Sequence, residues 1–168
     1  MILQATKKAQ DFIGIKTADI PDASDAFWCW HVNLFFINRK KCLLVTHTKS
    51  LYSVFLYGVV KKELPSLAQR IGASLKEQMR RDDFTIAQIS YLLENLGEVA
   101  YAKTTDRSTL GTMNDMMHAI KIHVTYDDTT DEQFLSAKIN QTPYSRHEFA
   151  YLKDEFRHQI ESQIRGEV

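Results

Sequence analysis

The chain has 168 residues, of which 44% are hydrophobic and 25% charged, and its formal net charge is zero. These values are typical of one ordinary soluble domain and leave no room for a second of full size. No apolar run reaches the roughly 18 residues of a membrane span, and the charged opening "MILQATKKAQDF" is unlike a signal peptide. We therefore expect a single-domain cytoplasmic protein with no membrane partner.

Charge is distributed unevenly along the chain. Residues 1–81 hold 13 Lys/Arg against 6 Asp/Glu, whereas residues 82–168 hold 8 against 15, which gives net charges of +7 and −7. We expect a sheet-rich basic half followed by a helix-rich acidic half. The halves attract each other within the fold or across a homo-oligomer; alternatively, the positive charges form one surface for an anionic partner.

Residues typical of metal and redox sites are sparse. Cys29 and Cys42 are too few for a disulfide framework and lack metal-ligand spacing, so we expect two buried thiols. His118 and His123 are five residues apart and do not face one another on a helix, and no HExxH motif occurs. We predict neither a metal nor another cofactor.

The first elements in chain order are a strand, a helix and a set of strands. Residues 2–5 suit a short strand, and "TKKAQDFIG" suits a helix with Thr6 as N-cap and Gly14 as stop. The aromatic and β-branched stretch "FWCWHVNLFFINRKKCLLVTHTKSLYSVFLYGV" then predicts three antiparallel strands, at about 28–37, 42–48 and 51–58.

Two-residue turns would set the register of these three strands. A turn at 39–40 places Leu34 opposite Val45, and a turn at 49–50 places Val45 opposite Val54. Both registers give the same two faces. One face is apolar and suited to burial under helices; it carries Trp30, Val32, Leu34, Phe36, Leu43, Val45, Val54 and Leu56.

The opposite face carries a polar row beside its apolar residues. The row consists of His31, Asn33, Thr46 and Ser53. It is either a solvated sheet face with cross-strand hydroxyl pairs or one wall of a pocket.

Helical spacing follows the strands. Residues 65–81 carry apolar residues at four-residue steps, and the next helix opens with a capping box of Thr85 and Gln88 and ends at Gly97. Residues 98–103 then suggest a returning strand. From about Ser108 the pattern favours a helix, although Ile120, Ile122 and Val124 would also suit a strand.

The tail predicts two further helices. The first is weak and lies at about 131–140, and the second opens with a capping box of Ser145 and Glu148 and stops at Gly166. The apolar stripe of the terminal helix is either core or a dimer seam; it consists of Phe149, Leu152, Phe156, Ile160 and Ile164.

One candidate ligand site lies in "KTTDRSTLGTMND", residues 103–115. A strand ending at Lys103 and a helix starting near Ser108 would place free N–H groups beside Lys103 and Arg107, an arrangement that binds anions. Thr104 and Ser108 would add hydroxyls, with Asn114 and Asp115 one turn later. In the alternative interpretation, Asp106 or Ser108 only caps the helix.

A second candidate site is basic. If the strands pair as proposed, one edge of the sheet gathers five cations, which suits contacts with nucleic-acid phosphates. They are Arg39, Lys40, Lys41, Lys61 and Lys62. Tyr57 would lie close enough to stack on a base. The alternative is a set of lysines and an arginine that only protect exposed turns.

A catalytic site has weaker support. His31 beside Asn33 could act as a general base if both opened onto one cleft with Arg107. This would make the protein a small nuclease-like or transferase-like enzyme, but no residue is assigned a catalytic role.

Three segments resemble, in order, those of a bacterial domain of unknown function, family 6933. They are "LQATKKAQDFIG", "WHVNLFFINRKKCLLVTHTKSLYSVFLYGVVKKEL" and "AKTTDRSTLGTMNDM", with a weaker similarity at "KINQTPYS". The third is the most specific. The resemblance implies a compact α/β domain in a bacterial or prophage setting, and it implies no activity, cofactor, partner or catalytic residue.

We therefore expect an α+β fold: a mostly antiparallel sheet of four or five strands, with helices packed mainly on the face of Trp30, Leu34 and Val45. The function most consistent with the sequence is non-enzymatic binding of an anionic, phosphate-bearing ligand or a nucleic acid. A protein-interaction or self-association module is the alternative from another class.

Overall fold

A computed structural model describes residues 1–15, 27–104, 106–144 and 151–166. The strands are β1 (Ile2–Ala5), β2 (Cys29–Ile37), β3 (Lys40–His47), β4 (Ser53–Leu56) and β5 (Ala100–Lys103). The α-helices are α1 (Lys7–Ile13), α2 (Leu67–Arg81), α3 (Ile86–Asn95), α4 (Arg107–Tyr126), α5 (Glu132–Asn140) and α6 (Leu152–Arg165). A 3₁₀ helix, Lys61–Ser66, precedes α2.

All five strands form one sheet in the order β4-β3-β2-β1-β5. β2, β3 and β4 are an antiparallel meander, whereas β1 pairs in parallel with β2 on one side and with β5 on the other. The predicted α+β class with a mostly antiparallel sheet is confirmed. Sequence patterns did not indicate that β1 lies inside the sheet.

The first hairpin differs from its predicted register. The turn is formed by Asn38 and Arg39, with φ of 48° and 62°, so Leu34 lies opposite Leu43 rather than Val45. Positive φ at both central residues defines the tight hairpin turn whose twist matches that of the strands, and asparagine is among the residues that tolerate it best. The shift is an even number of residues, so the predicted faces are retained.

The second hairpin keeps its predicted register but not its two-residue turn. Val45 lies opposite Val54, as expected. The connection is longer: the N–H of His47 donates to the carbonyl of Tyr52 (2.8 Å), and the N–H of Leu51 donates back to the carbonyl of His47 (2.9 Å). Leu51 takes a φ of 63° to close this loop.

Helices cover both faces of the sheet. Buried residues of α1, α2, α3 and α6 pack on the face of Trp30, Leu34 and Val45, which contains most of the core. Helices α4 and α5 pack on the other face, over Phe35, Leu44 and other apolar residues. The main helical layer is thus where the sequence predicts it. No helix in the described ranges combines the length and apolar character needed to cross a membrane.

Local signals account for most helix ends. Thr6 and Thr85 cap α1 and α3 with their side chains, the box of Thr85 and Gln88 is present, and Gly14 and Gly166 end α1 and α6 with positive φ. The stretch at 120–124, which also suits a strand, is helical within α4. The predicted box of Ser145 and Glu148 lies outside the described residues, as does Phe149. In the predicted stripe, Leu152, Phe156 and Ile160 are buried core residues, while Ile164 is 46% exposed.

Helix α5 lies along the outer edge of β4 and supplies the hydrogen bonds that a further strand would make. Glu132 accepts from the N–H of Tyr57 (2.6 Å), and Ser136 accepts from the N–H of Phe55 (2.9 Å). Asn140 accepts from the N–H of Ser53 and donates to its carbonyl, both at 2.8 Å.

The spacing of side chains along α5 matches the spacing of backbone groups along the edge of β4. Four helical residues rise about 6 Å and two strand residues about 6.8 Å, so every fourth side chain of α5 meets every second residue of β4.

Candidate functional site

The predicted polar row lies in the interior of the protein. His31, Thr46 and Ser53 are fully buried, and Asn33, which stands opposite Leu44 rather than Thr46, is only partly covered. Thr46 and Ser53 share a hydroxyl hydrogen bond of 2.8 Å. The interpretation as a solvated face is therefore wrong, because α4 and α5 cover this side of the sheet.

Burial of His31 also bears on the enzymatic alternative. Its Nδ1 lies 3.1 Å from the hydroxyl of Thr48, and its ring has no solvent-exposed area. Arg107 is exposed at the start of α4. The two side chains do not open onto one cleft, so the pocket that this alternative requires is not formed. Asn33 instead accepts a hydrogen bond from the hydroxyl of Thr6 (3.0 Å).

The segment around residues 103–115 forms the predicted strand-to-helix junction. Lys103 ends β5, and Asp106 is the N-cap of α4; its carboxylate accepts from the N–H groups of Ser108 (2.9 Å) and Thr109 (3.1 Å). Two of the amides that an anion would use are therefore occupied by a negatively charged side chain. Asn114 and Asp115 are exposed on α4. Anion binding at this segment stays a prediction, weakened by the carboxylate of Asp106.

The position of this segment in the sheet still favours a ligand. The carboxyl ends of parallel β1 and β5 are adjacent, because Ala5 pairs with Lys103. From these ends α1 and α4 leave toward opposite faces, which is the topological switch point where ligands of parallel sheets bind. The Oγ1 of Thr104 is buried there without a hydrogen-bond partner among the described residues.

The predicted basic residues converge on one concave surface, which we call the basic groove. It has a volume of about 190 Å³ and is lined by four cations and three small or aliphatic residues: Arg39, Lys40, Lys41, Lys61, Gly58, Val59 and Val60. The N–H of Val59 donates to the carbonyl of Lys41 (2.8 Å), which ties the two segments together. Lys62 is exposed next to Lys61.

Within the described parts of the chain, none of the four cations of the groove forms an ion pair. The nearest acidic residue in sequence, Glu63, reaches the groove lining but pairs with Arg70: its carboxylate accepts from the N–H of Val60 (3.0 Å) and from Arg70 (3.1 Å). Arg70 in turn binds Glu132 (2.7 Å). Both carboxylates therefore pair with Arg70, and neither forms an ion pair with a cation of the groove.

The backbone at the mouth of the groove is strained. Arg39 has a φ of 62°, a conformation that costs a residue with a side chain about 1–2 kcal/mol relative to a right-handed one. Glycine is the residue that ordinarily occupies this turn position. A cation placed where glycine would be more stable is consistent with a role in binding.

The exposed aromatic residue beside the cations is Phe36 rather than the expected Tyr57. Tyr57 is only partly exposed and packs near Phe55, with ring centroids 6.4 Å apart. Phe36 is exposed instead: the sequence places it on the apolar face suited to burial, but at its position near the end of β2 it is 52% exposed. The corrected register places Phe36 opposite Lys41, which the predicted register did not.

No group of three or more His, Cys, Asp or Glu side chains suited to a metal ion occurs among the described residues.

Comparison with known proteins identifies the family of the chain. No curated protein matches the chain. A family model described as "Domain of unknown function (DUF6933)" matches residues 2–155. Because the match spans well over half of the chain and agrees with the three segments identified above, the protein belongs to the DUF6933 family.

Proposed function

We propose that this domain binds a phosphate-bearing anion in the basic groove, without catalysing a reaction. The observation that carries the proposal is the convergence of Arg39, Lys40, Lys41 and Lys61, from two separate segments, on one concavity. Such a cluster repels itself, and a bound anion relieves that repulsion.

Geometry favours the groove over the strand-end segment. In the groove the cations face a concave surface and have no carboxylate partner among the described residues, whereas at the start of α4 the carboxylate of Asp106 already holds two amides. The volume of about 190 Å³ is below the roughly 300–1,000 Å³ of pockets that enclose whole small molecules. It suits a single phosphate group of a larger ligand.

The test is a titration of ¹⁵N-labelled protein with pyrophosphate at low ionic strength, followed by amide chemical shifts. We expect saturable shifts in residues 39–41 and 58–61 that weaken as salt is added. The double variant Lys40→Gln, Lys61→Gln removes two positive charges while nearly keeping the length of the two side chains. The chemical-shift changes caused by pyrophosphate should be largely lost in this variant.

A matched control is Lys49→Gln. Lys49 is also exposed, but it lies in the loop at the opposite end of β3, so its removal should leave the titration unchanged. Absence of saturable shifts would overturn the proposal. Shifts confined to residues 103–108 would also overturn it and would place the anion at the strand end.

A further inference from the structure

An exposed aromatic ring adjoins the basic groove. Phe36 is 52% exposed, although Leu34, two residues earlier on the same face, is only 7% exposed. The ammonium of Lys41 lies 5.9 Å from the centroid of the Phe36 ring and 5.5 Å from that of Phe12. Lys41 also lines the groove, so one side chain joins the ring to the cations.

Lys41 holds this arrangement in place. An ammonium within about 6 Å of an aromatic centroid is attracted electrostatically to the face of the ring. Phe12 is buried and belongs to the core, so the ammonium between the two rings is anchored on the inner side by a fixed group. The outer ring, Phe36, keeps half of its surface open to solvent beside a row of cations.

We propose that the groove binds single-stranded nucleic acid, with its cations on the phosphates and Phe36 stacked on a base. This rests on the proposed function and specifies the ligand. Proteins that bind single strands combine a positively charged track with aromatic rings on which bases stack. The small volume of the groove fits one phosphate of a polymer crossing the surface.

The exposed ring distinguishes a single strand from a duplex. In a duplex each base face is covered by its neighbours, so an exposed ring near the end of a strand has no π-face to contact. The phosphates of duplex DNA could contact the cations, but no base of the duplex could stack on Phe36. The structure therefore specifies a preference for unpaired bases.

The test measures fluorescence anisotropy of labelled oligothymidylate, oligouridylate and a mixed-sequence duplex, at fixed low salt. Because a base stacked on an aromatic ring contributes about 1–3 kcal/mol, Phe36→Ala should weaken single-strand binding by roughly 5- to 150-fold. Phe36→Trp should retain binding, and its fluorescence should be quenched by the bound strand. The two oligonucleotides separate DNA from RNA as the source of the strand.

The matched control is Tyr151→Ala. Tyr151 is 51% exposed, almost the same as Phe36, but it precedes α6. Its loss should leave binding unchanged, and circular dichroism should show both variants folded.

The two proposals fail differently. Equal affinity for duplex and single strand, or no effect of Phe36→Ala, overturns the single-strand inference while pyrophosphate still shifts the groove amides. If pyrophosphate produces no shifts either, the proposed function itself is wrong.

Discussion

The side-chain amide of Asn140 forms two hydrogen bonds with the backbone of Ser53, accepting from its N–H and donating to its carbonyl, each at 2.8 Å. Both residues are fully buried. One side chain thus satisfies a donor and an acceptor that an edge strand would otherwise leave open to another chain.

Removing this amide should be strongly destabilising. Asn140→Ala leaves two buried backbone groups of Ser53 without partners, at about 1–3 kcal/mol each, so we expect the free energy of unfolding in urea to fall by roughly 2–6 kcal/mol. Ser136→Ala removes the acceptor for the N–H of Phe55, together with a hydroxyl bond to the Glu132 carbonyl, and should cost about half as much because it leaves one backbone N–H without a partner. A loss within about 0.5 kcal/mol of zero for Asn140→Ala would contradict the role of α5 as a substitute strand.

The strained turn gives a second prediction, in which stability and binding change in opposite directions. Arg39→Gly removes the side chain that is unfavourable at a φ of 62°, and we expect thermal unfolding to show a gain of about 0.5–1 kcal/mol. The same variant loses one groove cation and should bind pyrophosphate more weakly. Lys40→Gln serves as the control, because it should weaken binding without the gain in stability.

Tyr144 should make the protein sensitive to alkaline pH. Burial, assisted by the carboxylate of Asp115, raises the pKa of Tyr144 to about 12, whereas an unfolded tyrosine titrates near 10. The folded state therefore holds the phenol proton more tightly. The resulting stability is fully present below pH 10 and is lost as the pH rises from 10 to about 12.

Tyr144→Phe removes this dependence. In urea titrations at a series of alkaline pH values, the variant should lose less stability over that window than the unsubstituted protein. Tyrosinate absorbance should show one late-titrating group fewer. Parallel pH profiles for the two proteins would show that Tyr144 does not titrate late.

The thiols should report on unfolding. Cys29 and Cys42 are both buried, and burial raises the pKa of the Cys42 thiol, which lowers the fraction of reactive thiolate. An aromatic disulfide reagent should therefore label neither residue in the folded protein, and both should react at the rate of global unfolding. Rapid labelling of the native state, assigned by mass spectrometry, would show that one of these sites opens locally.

Features that depend on neighbouring residues in the chain could be predicted from the sequence. Thr6, Thr85 and Gly166 act as expected because a cap needs only the amides or carbonyls within one turn. The faces of the meander were also predictable, since side chains alternate between the two faces of a strand and a register shift of two residues leaves each on its predicted face. The turn lies one residue earlier than predicted, because Asn38 is among the residues that best tolerate positive φ.

Features that depend on distant partners could not be predicted. The four residues of β1 carry no signal for pairing in parallel with both β2 and β5. Ser136 and Asn140 look like surface residues of a weak helix, because their partners are backbone groups of a strand more than 80 residues earlier. The basic groove could be predicted from the sequence because a hairpin determines which cations lie together. The exposure of Phe36 could not, because it depends on where the helical layer ends.

The interior position of β1, between β2 and β5, has a consequence for the order of assembly. Strands β2, β3 and β4 are joined by short connections, so the meander can form early from local hairpins. Among the described strands β5 pairs with β1 alone, across nearly 100 residues, so closing that loop is the slow, entropically unfavourable step. Deuterium should accordingly enter the amides of β5 well before those of β3.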